Sequence, residues 1–278
     1  MPELPEVETI VRGLAPRLLH RRIQHIELTQ PRVLIGDVSR AAGFTVTALR
    51  RRGKHIILDL RRSNRSAHLV IHLGMTGQLL LDGTPERHTH AVFQLDRGLT
   101  LLYNDTRQFG RLEFAERLPA RLARLGPDPF RLEEEEFVRR FRSRRSMVKS
   151  LLLNQAFLSG LGNIYADEAL FRARIHPRAS SDRLQPKRVS GLYRAIIEVL
   201  AEAIRQGGSS ISDYVGSDGQ LGSFQFRHNV YQRTGLPCLA CGTTIRRIIV
   251  ASRGTHFCPK CQRAGVSLAK AQRAQGLT

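Results

Sequence analysis

Long apolar runs are missing from this 278-residue chain. The longest, such as Leu69-Val70-Ile71 and 99–103, are strand-sized and fall well short of the roughly 18 residues of a membrane span, so the sequence reads as soluble. Acidic residues are scarce: 24 Asp and Glu face 44 Lys and Arg, a formal charge of +20. With 41% hydrophobic residues, that imbalance excludes a disordered chain and predicts a folded cationic protein whose partner is a polyanion. The cations are spread along the chain rather than gathered in a tail, which places them on a folded surface facing phosphates. Cysteine is equally sparse. All four lie between positions 238 and 261, which excludes a disulfide framework stapling distant segments. A basic leader is lacking too: the start, Met1-Pro2-Glu3-Leu4-Pro5-Glu6-Val7-Glu8, is acidic where an export signal is basic. A reducing, cytoplasmic compartment is expected, and disulfides are disfavoured there.

At roughly 150 residues per domain, the length allows two. After Pro5, the spacing of Val7, Ile10, Val11 and Leu14 predicts a helix with one buried face, which Pro16 should bend or end. From about residue 22 the pattern turns to short β-rich runs at 22–29, 44–49, 55–60, 68–73, 91–96 and 99–103, with Asp96-Arg97-Gly98 as a hairpin turn. Strands at ten-residue spacing without intervening helices predict an antiparallel sandwich or barrel in the first 115 residues. Leu125-Gly126-Pro127-Asp128-Pro129 reads as a linker, and Glu133 to Glu136 suit the helix N-terminus that follows. Helical spacing then covers 137–141, 147–158, 163–172 and 186–206, the last with Val189, Leu192, Tyr193, Ile196, Ile197, Leu200 and Ile204 on its apolar face. Gly207 and Gly208 stop that helix, and 209–224 is a long Ser/Gly/Asp-rich loop of the kind that carries function. The tail after Cys261 has no pattern to interpret.

Cys238-Leu239-Ala240-Cys241 is followed after 16 residues by Cys258-Pro259-Lys260-Cys261. Two such knuckles place four thiolates on a tetrahedron, as a closed, structural Zn²⁺ site requires, one ion per chain. A four-thiolate site has no open position for catalysis, so its task is to hold a β-hairpin, and Arg246, Arg247 and Arg253 on that hairpin then face phosphate. Pro2 is a second feature. Initiator methionine is normally removed before a small residue, which would expose a secondary amine with a pKa near 8 that can attack a carbonyl-like carbon. Glu3 and Glu6 beside it are candidate proton donors, although solvated carboxylates at a helix start are the ordinary explanation. Third, Leu161-Gly162-Asn163-Ile164-Tyr165-Ala166-Asp167-Glu168 is a Gly-containing turn into a helix, a phosphate-binding geometry.

Met1-Pro2-Glu3-Leu4-Pro5-Glu6-Val7-Glu8-Thr9, the stretch from Gly160 to Glu168 and the four cysteines, in this order, resemble the formamidopyrimidine-DNA glycosylases, within the wider family that includes endonuclease VIII. The resemblance spans residues 1 to about 263. It implies an α+β multidomain chain: an N-terminal antiparallel β-sandwich with a flanking helix (1–126), a linker (127–132), an α-helical helix-two-turns-helix domain (133–230) and a zinc-bound β-hairpin (231–263), before the tail 264–278. It further implies a bifunctional base-excision repair enzyme that removes 8-oxoguanine and formamidopyrimidines from double-stranded DNA and cuts the strand by β,δ-elimination. Pro2 matches the nucleophile, Glu3 the adjacent proton-transfer acid, Glu6 a further carboxylate of the site, and Lys54 a β-hairpin lysine that contacts phosphate and assists catalysis. Met75, Arg107 and Phe109 match a trio that fills the void left by the flipped base, an apolar wedge with a stacked guanidinium. By pattern alone, Met75 and Phe109 are core residues. His90, Lys149 and Asn163 fall where DNA contacts are expected, and Arg253 matches the zinc-finger arginine that grips the phosphates flanking the lesion. The lid over the flipped purine corresponds to 217–224: Ser217, Gly219, Leu221, Gly222, Ser223 and Phe224. One departure stands out: Gln232 occupies a position where the family commonly has Gly.

The implied enzyme is a bacterial cytoplasmic monomer, associated with the nucleoid through DNA, with no membrane contact and no small-molecule cofactor. Two other classes share parts of the pattern. An endonuclease VIII-like enzyme would prefer oxidised pyrimidines, and a non-catalytic zinc-dependent nucleic-acid-binding protein would need neither Pro2 nor Glu3.

Overall fold

Helix α1 (Leu4–Leu18) starts from a capping box, in which the Glu6 carboxylate accepts the Glu3 N–H at 2.8 Å and the Glu3 side chain accepts from the Glu6 backbone, with Pro5 in the first turn. The computed structural model describes residues 1–211 and 214–263. Ser212, Asp213 and the tail 264–278 therefore lie outside the described residues. Pro16 sits in the last turn, where its missing N–H forfeits a single intrahelical bond, and the helix runs on to Leu18.

Strands β1 (Ile23–Leu28), β2 (Leu34–Ile35), β3 (Thr45–Arg52), β4 (His55–Arg62), β5 (Arg65–His72), β6 (Gly77–Leu81), β7 (Thr89–Leu95), β8 (Thr100–Asp105) and β9 (Arg111–Ala115) follow, then the short helix α2 (Ala120–Ala123). They form a sheet of order β1-β7-β8-β6 and a second of order β2-β9-β5-β4-β3. Six strands coincide with the predicted runs; β2, β6 and β9 are short segments that the pattern did not single out. The antiparallel expectation has one exception, the two-residue parallel pairing of β2 with β9. Period-two alternation turns Ile56, Leu58, Leu60, Leu69, Ile71, Leu112 and Phe114 of one sheet toward the same buried cluster as Ile26, Leu79, Phe93, Leu101 and Tyr103 of the other. Val7, Ile10, Leu14 and Leu18 of α1 join that cluster, each fully buried aliphatic side chain stabilising the fold by about 1.5–3 kcal/mol.

The second unit contains α3 (Glu134–Arg142), α4 (Val148–Leu153), α5 (Asn163–Arg172), α6 (Pro186–Arg205) as far as Glu202, and the hairpin β10 (Arg246–Val250) with β11 (Arg253–Phe257). Phe137 packs its ring at 5.5 Å from Phe141, 5.8 Å from Phe157 and 5.3 Å from Tyr193, against the buried face of α6. The helix predicted over 147–158 ends at Leu153, because Asn154 turns its side-chain oxygen onto the Ala156 N–H at 2.9 Å and competes with the helical bond.

The chain divides into units Met1–Arg124 with Ala203–Gln225, and Leu125–Glu202 with the described residues from Phe226. This differs from the expected boundaries in three ways. Residues 127–132 are packed into the second unit rather than being a free linker, since Ser159 donates its backbone N–H to the Pro127 carbonyl and Leu132 is buried. The zinc hairpin groups with the helices instead of standing apart, with Gln262 bonded to the Ile175 carbonyl at 3.0 Å. The long loop, with 217–224, groups with the β-sheet unit rather than with the helices. No helix among the described residues is long and apolar enough to cross a membrane.

Candidate active site

Pro2 is buried at the start of α1. Carboxylates at a helix start are normally solvated, but Glu3 is 2% and Glu6 1% exposed, so capping alone does not account for them. The second Glu6 oxygen accepts the Ser209 N–H at 2.8 Å, and the Tyr214 hydroxyl donates to the Gly207 carbonyl at 3.0 Å. Burial first, then the Glu6 carboxylate, pushes the Tyr214 phenol up, which keeps it a neutral donor. Lys54 is buried in the tight turn between β3 and β4, where Arg52 pairs with His55. Arg51 ties that turn to α1: its Nε donates to Glu8 at 2.7 Å and its Nη1 to the Gly53 carbonyl at 3.3 Å. Burial pushes the Glu8 carboxyl up, but hydrogen bonds from Arg51 and Arg12 outweigh it and hold the group below its usual range. Thus one unit holds Pro2, two buried carboxylates and a buried lysine on braced elements, a set able to attack an electrophilic carbon and exchange protons around it.

The segment 217–224, expected to be a lid, belongs to the same unit. Its base is held by the backbone: Leu81 donates to the Ser217 carbonyl at 3.0 Å, Ser223 to Gln206 at 2.9 Å and Phe224 to Gly208 at 3.0 Å. A Cβ on Gly13 of α1 would lie 2.4 Å from the Ser217 hydroxyl oxygen, so α1 approaches the loop closely enough that a larger residue there would turn that hydroxyl aside. Gly222 donates to the Ser210 hydroxyl at 2.9 Å, and Phe224 is buried. The tip differs: Gly219 has φ +78° and Leu221 is 69% exposed, leaving a fixed base with an unburied apolar tip.

Met75 and Phe109, core residues by pattern, are 38% and 52% exposed. The register Gly77↔Asp105 places the loop before β6 beside the loop after β8. Asp105, fully buried, organises both: it accepts the Thr76 hydroxyl at 2.5 Å, the Gly110 N–H at 2.7 Å and the Tyr103 hydroxyl at 3.1 Å. Thr76 in turn accepts the Arg107 N–H at 3.0 Å. The Arg107 guanidinium stacks over the Phe109 ring at 4.9 Å. Gly74 takes φ +60°, and a Cβ there would meet the Gly110 nitrogen at 2.5 Å. His90 does not present itself to solvent: it is 4% exposed and its Nε2 is paired with the Asp105 carbonyl at 2.8 Å. That contact ties it to the end of β8, two residues ahead of Arg107.

Lys149, expected at a phosphate, has protein partners in this structure. It is completely buried and its ammonium donates to Asp167 at 2.6 Å and to the Thr255 hydroxyl at 2.8 Å. Asp167 also accepts the His256 N–H at 2.8 Å, so α4, α5 and β11 are fastened through one buried ion pair. Asn163 donates to the Gly254 carbonyl at 3.0 Å, beside the exposed Arg253. The neighbouring Glu168 accepts N–H groups from Asn229, Val230 and Tyr231, which holds the segment leading to the zinc knuckles against α5. Replacing Lys149 by Ala strands the Asp167 carboxylate, and a stability loss of about 3–5 kcal/mol is expected in urea unfolding, with much of it recovered by the double change Lys149→Met, Asp167→Leu. A loss below about 1 kcal/mol would contradict this account of the pair.

The sulfur atoms of Cys238, Cys241, Cys258 and Cys261 all lie within 4.8 Å of one another, with Cys238–Cys261 at 3.9 Å and Cys241–Cys258 at 3.5 Å. Zn–S bonds of about 2.3 Å in a tetrahedron put sulfurs about 3.8 Å apart, so the donor set and its spacing fit zinc. Three family models match the chain: the formamidopyrimidine-DNA glycosylase N-terminal domain over residues 1–112, the formamidopyrimidine-DNA glycosylase H2TH domain over 125–215, and the zinc finger found in FPG and IleRS over 235–264. The formamidopyrimidine-DNA glycosylase of Solibacter usitatus (strain Ellin6076) is 54% identical over 268 residues, covering 95% of this chain and 100% of that protein. The chain belongs to the formamidopyrimidine-DNA glycosylase family. The crystal structure of MutM (Fpg) from Thermus thermophilus is similar with a TM-score of 0.86 at 44% identity, covering 95% of this chain and 100% of that one. A complex of Lactococcus lactis Fpg with abasic-site DNA also reaches 0.86, at 37% identity over 94% and 100%. The family comprises DNA glycosylases with abasic-site lyase activity, and its zinc finger is present here with all four cysteines.

Against that family background, Gln232 has a cost. It adopts φ 57°, the left-handed region where a side chain is disfavoured by about 1–2 kcal/mol and where glycine is at ease. Asp105, Asp167 and Glu168 are the polar residues that sequence reasoning left without a role. The signal available was an acid inside a quoted motif for Asp167 and Glu168 and a place two residues before Arg107 for Asp105; the partners of the first two are 18 to 89 residues away, and those of Asp105 are set by strand register.

A pH dependence follows from His55 and His72, a cross-strand pair with ring centroids 4.8 Å apart. Burial, then nearby cations, pushes both down to about 4: Arg121 acts on His55, and His55, Lys54, Arg121 and Arg111 act on His72. The neutral His72 Nδ1 accepts the Gly74 N–H at 3.1 Å, next to Met75. The unfolded chain takes up protons near pH 6.5 and the folded chain only near 4, so stability contributed by these rings is whole above pH 6.5 and is lost as pH falls toward 4. Urea midpoints measured between about pH 7.5 and 4.5 are expected to fall in this window, and less so in a His72→Gln variant. A flat profile would refute the assignment.

Proposed function

We propose that this chain excises oxidised purines, 8-oxoguanine and formamidopyrimidines, from double-stranded DNA and then cuts the strand at the resulting abasic site, acting in the cytoplasm as a monomer without a small-molecule cofactor. The observation that carries the reading is Pro2 at the head of α1, with two carboxylates beside it that are almost wholly removed from water. Once Met1 is removed, the Pro2 nitrogen lone pair attacks C1′ of the damaged nucleotide. The bond from C1′ to the base breaks, and the base leaves with that electron pair and takes a proton. Glu3 serves as the proton-transfer acid when the C1′–O4′ bond opens to give the iminium, and Glu6 holds the site's backbone to Ser209. The cationic imine acidifies C2′. Loss of that proton expels the 3′ phosphate, and a further elimination expels the 5′ phosphate, leaving a one-nucleotide gap. Lys54 and Arg253 are assigned to the phosphates and proton transfers of these steps.

Extrusion of the base costs a few kcal/mol, which Met75, Arg107 and Phe109 offset by filling its place in the stack. The lid from Ser217 to Phe224 covers the extruded purine. Lys149, His90 and Asn163 act here as positioning residues, because their polar ends are turned to Asp167, the Asp105 carbonyl and the Gly254 carbonyl. Zinc bound by the four cysteines supplies folding energy to the hairpin that presents Arg253.

Borohydride trapping on one duplex with 8-oxoguanine opposite cytosine and another with an oxidised pyrimidine tests the reading. Trapping and δ-elimination mainly on the purine duplex are expected. Preference for the pyrimidine would assign the endonuclease VIII-like specificity, and DNA binding without trapping on either would leave a non-catalytic binding protein.

A further inference from the structure

At the metal end of the hairpin, the second unit has a cavity of about 420 Å³. Arg174, Arg188, Lys260 and Arg263 line it beside Cys241 and Cys261, with no carboxylate in its walls. All four cationic residues are exposed. Arg188 donates to the Arg174 carbonyl at 2.7 Å, which fixes one guanidinium at the rim. Four thiolates around Zn²⁺ carry two net negative charges, so the metal centre offsets half of the four positive charges and leaves the basin cationic.

The basin is distinct from the place assigned to Arg253. That residue opens β11, and Cys258 follows the strand's last residue, so at 3.3–3.4 Å per residue the two ends are about 17 Å apart. Three of the four cations are guanidinium groups, whose planar forks match phosphate oxygens in pairs. An acidic peptide would find no apolar anchor beyond Ala240.

We propose that this basin is a second phosphodiester-binding site, which takes DNA backbone lying outside the lesion-bearing segment. The proposal rests on the reading that the chain works on DNA. The phosphates come either from a flanking run of the same duplex or from a second duplex, and a single set of measurements separates the two.

The variant Arg174→Gln, Lys260→Gln, Arg263→Gln keeps Arg188 and touches none of the residues assigned to chemistry. Its zinc content is measured first, since the cations border two of the ligands. Binding is then followed against salt on a duplex just long enough to hold the lesion and on one about two helical turns longer. With about 0.9 lost from the slope of log K against log salt per phosphate contact, the long duplex should lose up to about 2.7 and the short one nothing, if the phosphates are flanking. If they come from a second duplex, both slopes stay and the second equivalent of undamaged duplex bound by the wild type at low salt disappears. No change in either arm, an equal loss on the short duplex, or capture of an acidic peptide with DNA binding unaltered would overturn the proposal. Should the triple variant lose zinc, Arg174→Glu, on the helical side of the basin, carries the same comparison. Failure of both proteins to trap the lesion duplex would refute the catalytic reading, while the salt comparison on undamaged DNA would still decide the basin.

Discussion

A chain that keeps Met1 is expected to give no borohydride-trapped complex on an 8-oxoguanine duplex, while binding that duplex within about threefold of the processed protein. With Met1 attached, the Pro2 nitrogen is a tertiary amide whose lone pair is delocalised into the carbonyl, and it cannot attack C1′. Met1 is 47% exposed at the end of the chain, so keeping it blocks the amine while the surface that meets the duplex backbone is expected to stay in place. Pro2→Gly should abolish trapping by another route. The glycine amine is no longer held by a ring next to the rigid start of α1, where Glu3 and Glu6 lock each other in the capping box. Mass spectrometry establishes which N-terminus is present before each assay. Wild-type trapping by either form would remove Pro2 from the mechanism.

Zinc removal has the second largest expected effect, on the hairpin rather than on the chemistry. Strands β10 and β11 are five residues each, and a two-stranded hairpin of that size is marginal in water. Its turn makes matters worse: Ala251 and Ser252 have φ 50° and 57°, each costing about 1–2 kcal/mol relative to glycine-like freedom. The apolar cluster beneath is small, formed by Val230, Cys238, Ile245 and Cys258, two of them metal ligands. Structural zinc sites contribute roughly 10–16 kcal/mol in isolated finger peptides, which dominates these terms. Cys258→Ser or chelation should therefore unfold 246–257, releasing Thr255 from Lys149 and His256 from Asp167. Affinity for duplex DNA is expected to fall roughly tenfold to a hundredfold through loss of the charge-assisted contact assigned to Arg253. Hydrogen exchange across the hairpin and a DNA titration check both parts. Unchanged affinity after zinc removal would refute the hairpin's part in binding.

Local pattern reached far in this chain. The span of α5, 163–172, is the one observed, because a run of ten residues with its own turn signals is settled by contacts within itself. The cysteine knuckles were legible for the same reason: ligand spacing within a few residues is a short-range property. Met75 and Phe109 were not legible as exposed residues. An apolar side chain in a β-rich segment looks like core until the register Gly77↔Asp105 brings its loop to the edge of a sheet. The burial of Lys149 was not legible either. A lysine in a basic chain is ordinarily solvated, and only the position of Asp167 one helix away accounts for its enclosure.

The amino-acid sequence by itself determined the family, the zinc ligands, the alternation of a β-rich first half with a helical second, and the placing of Pro2 ahead of two acids, since each is written in short spacings. The tertiary structure decided the rest. It turned Glu3 and Glu6 from solvated caps into buried carboxylates, bonded Glu6 to Ser209 and Tyr214, more than 200 residues away in sequence, and grouped 217–224 with them. Hydrogen bonds between segments so distant follow from how the chain closes on itself, and burial, which sets what a charged group can do, exists only once it has closed.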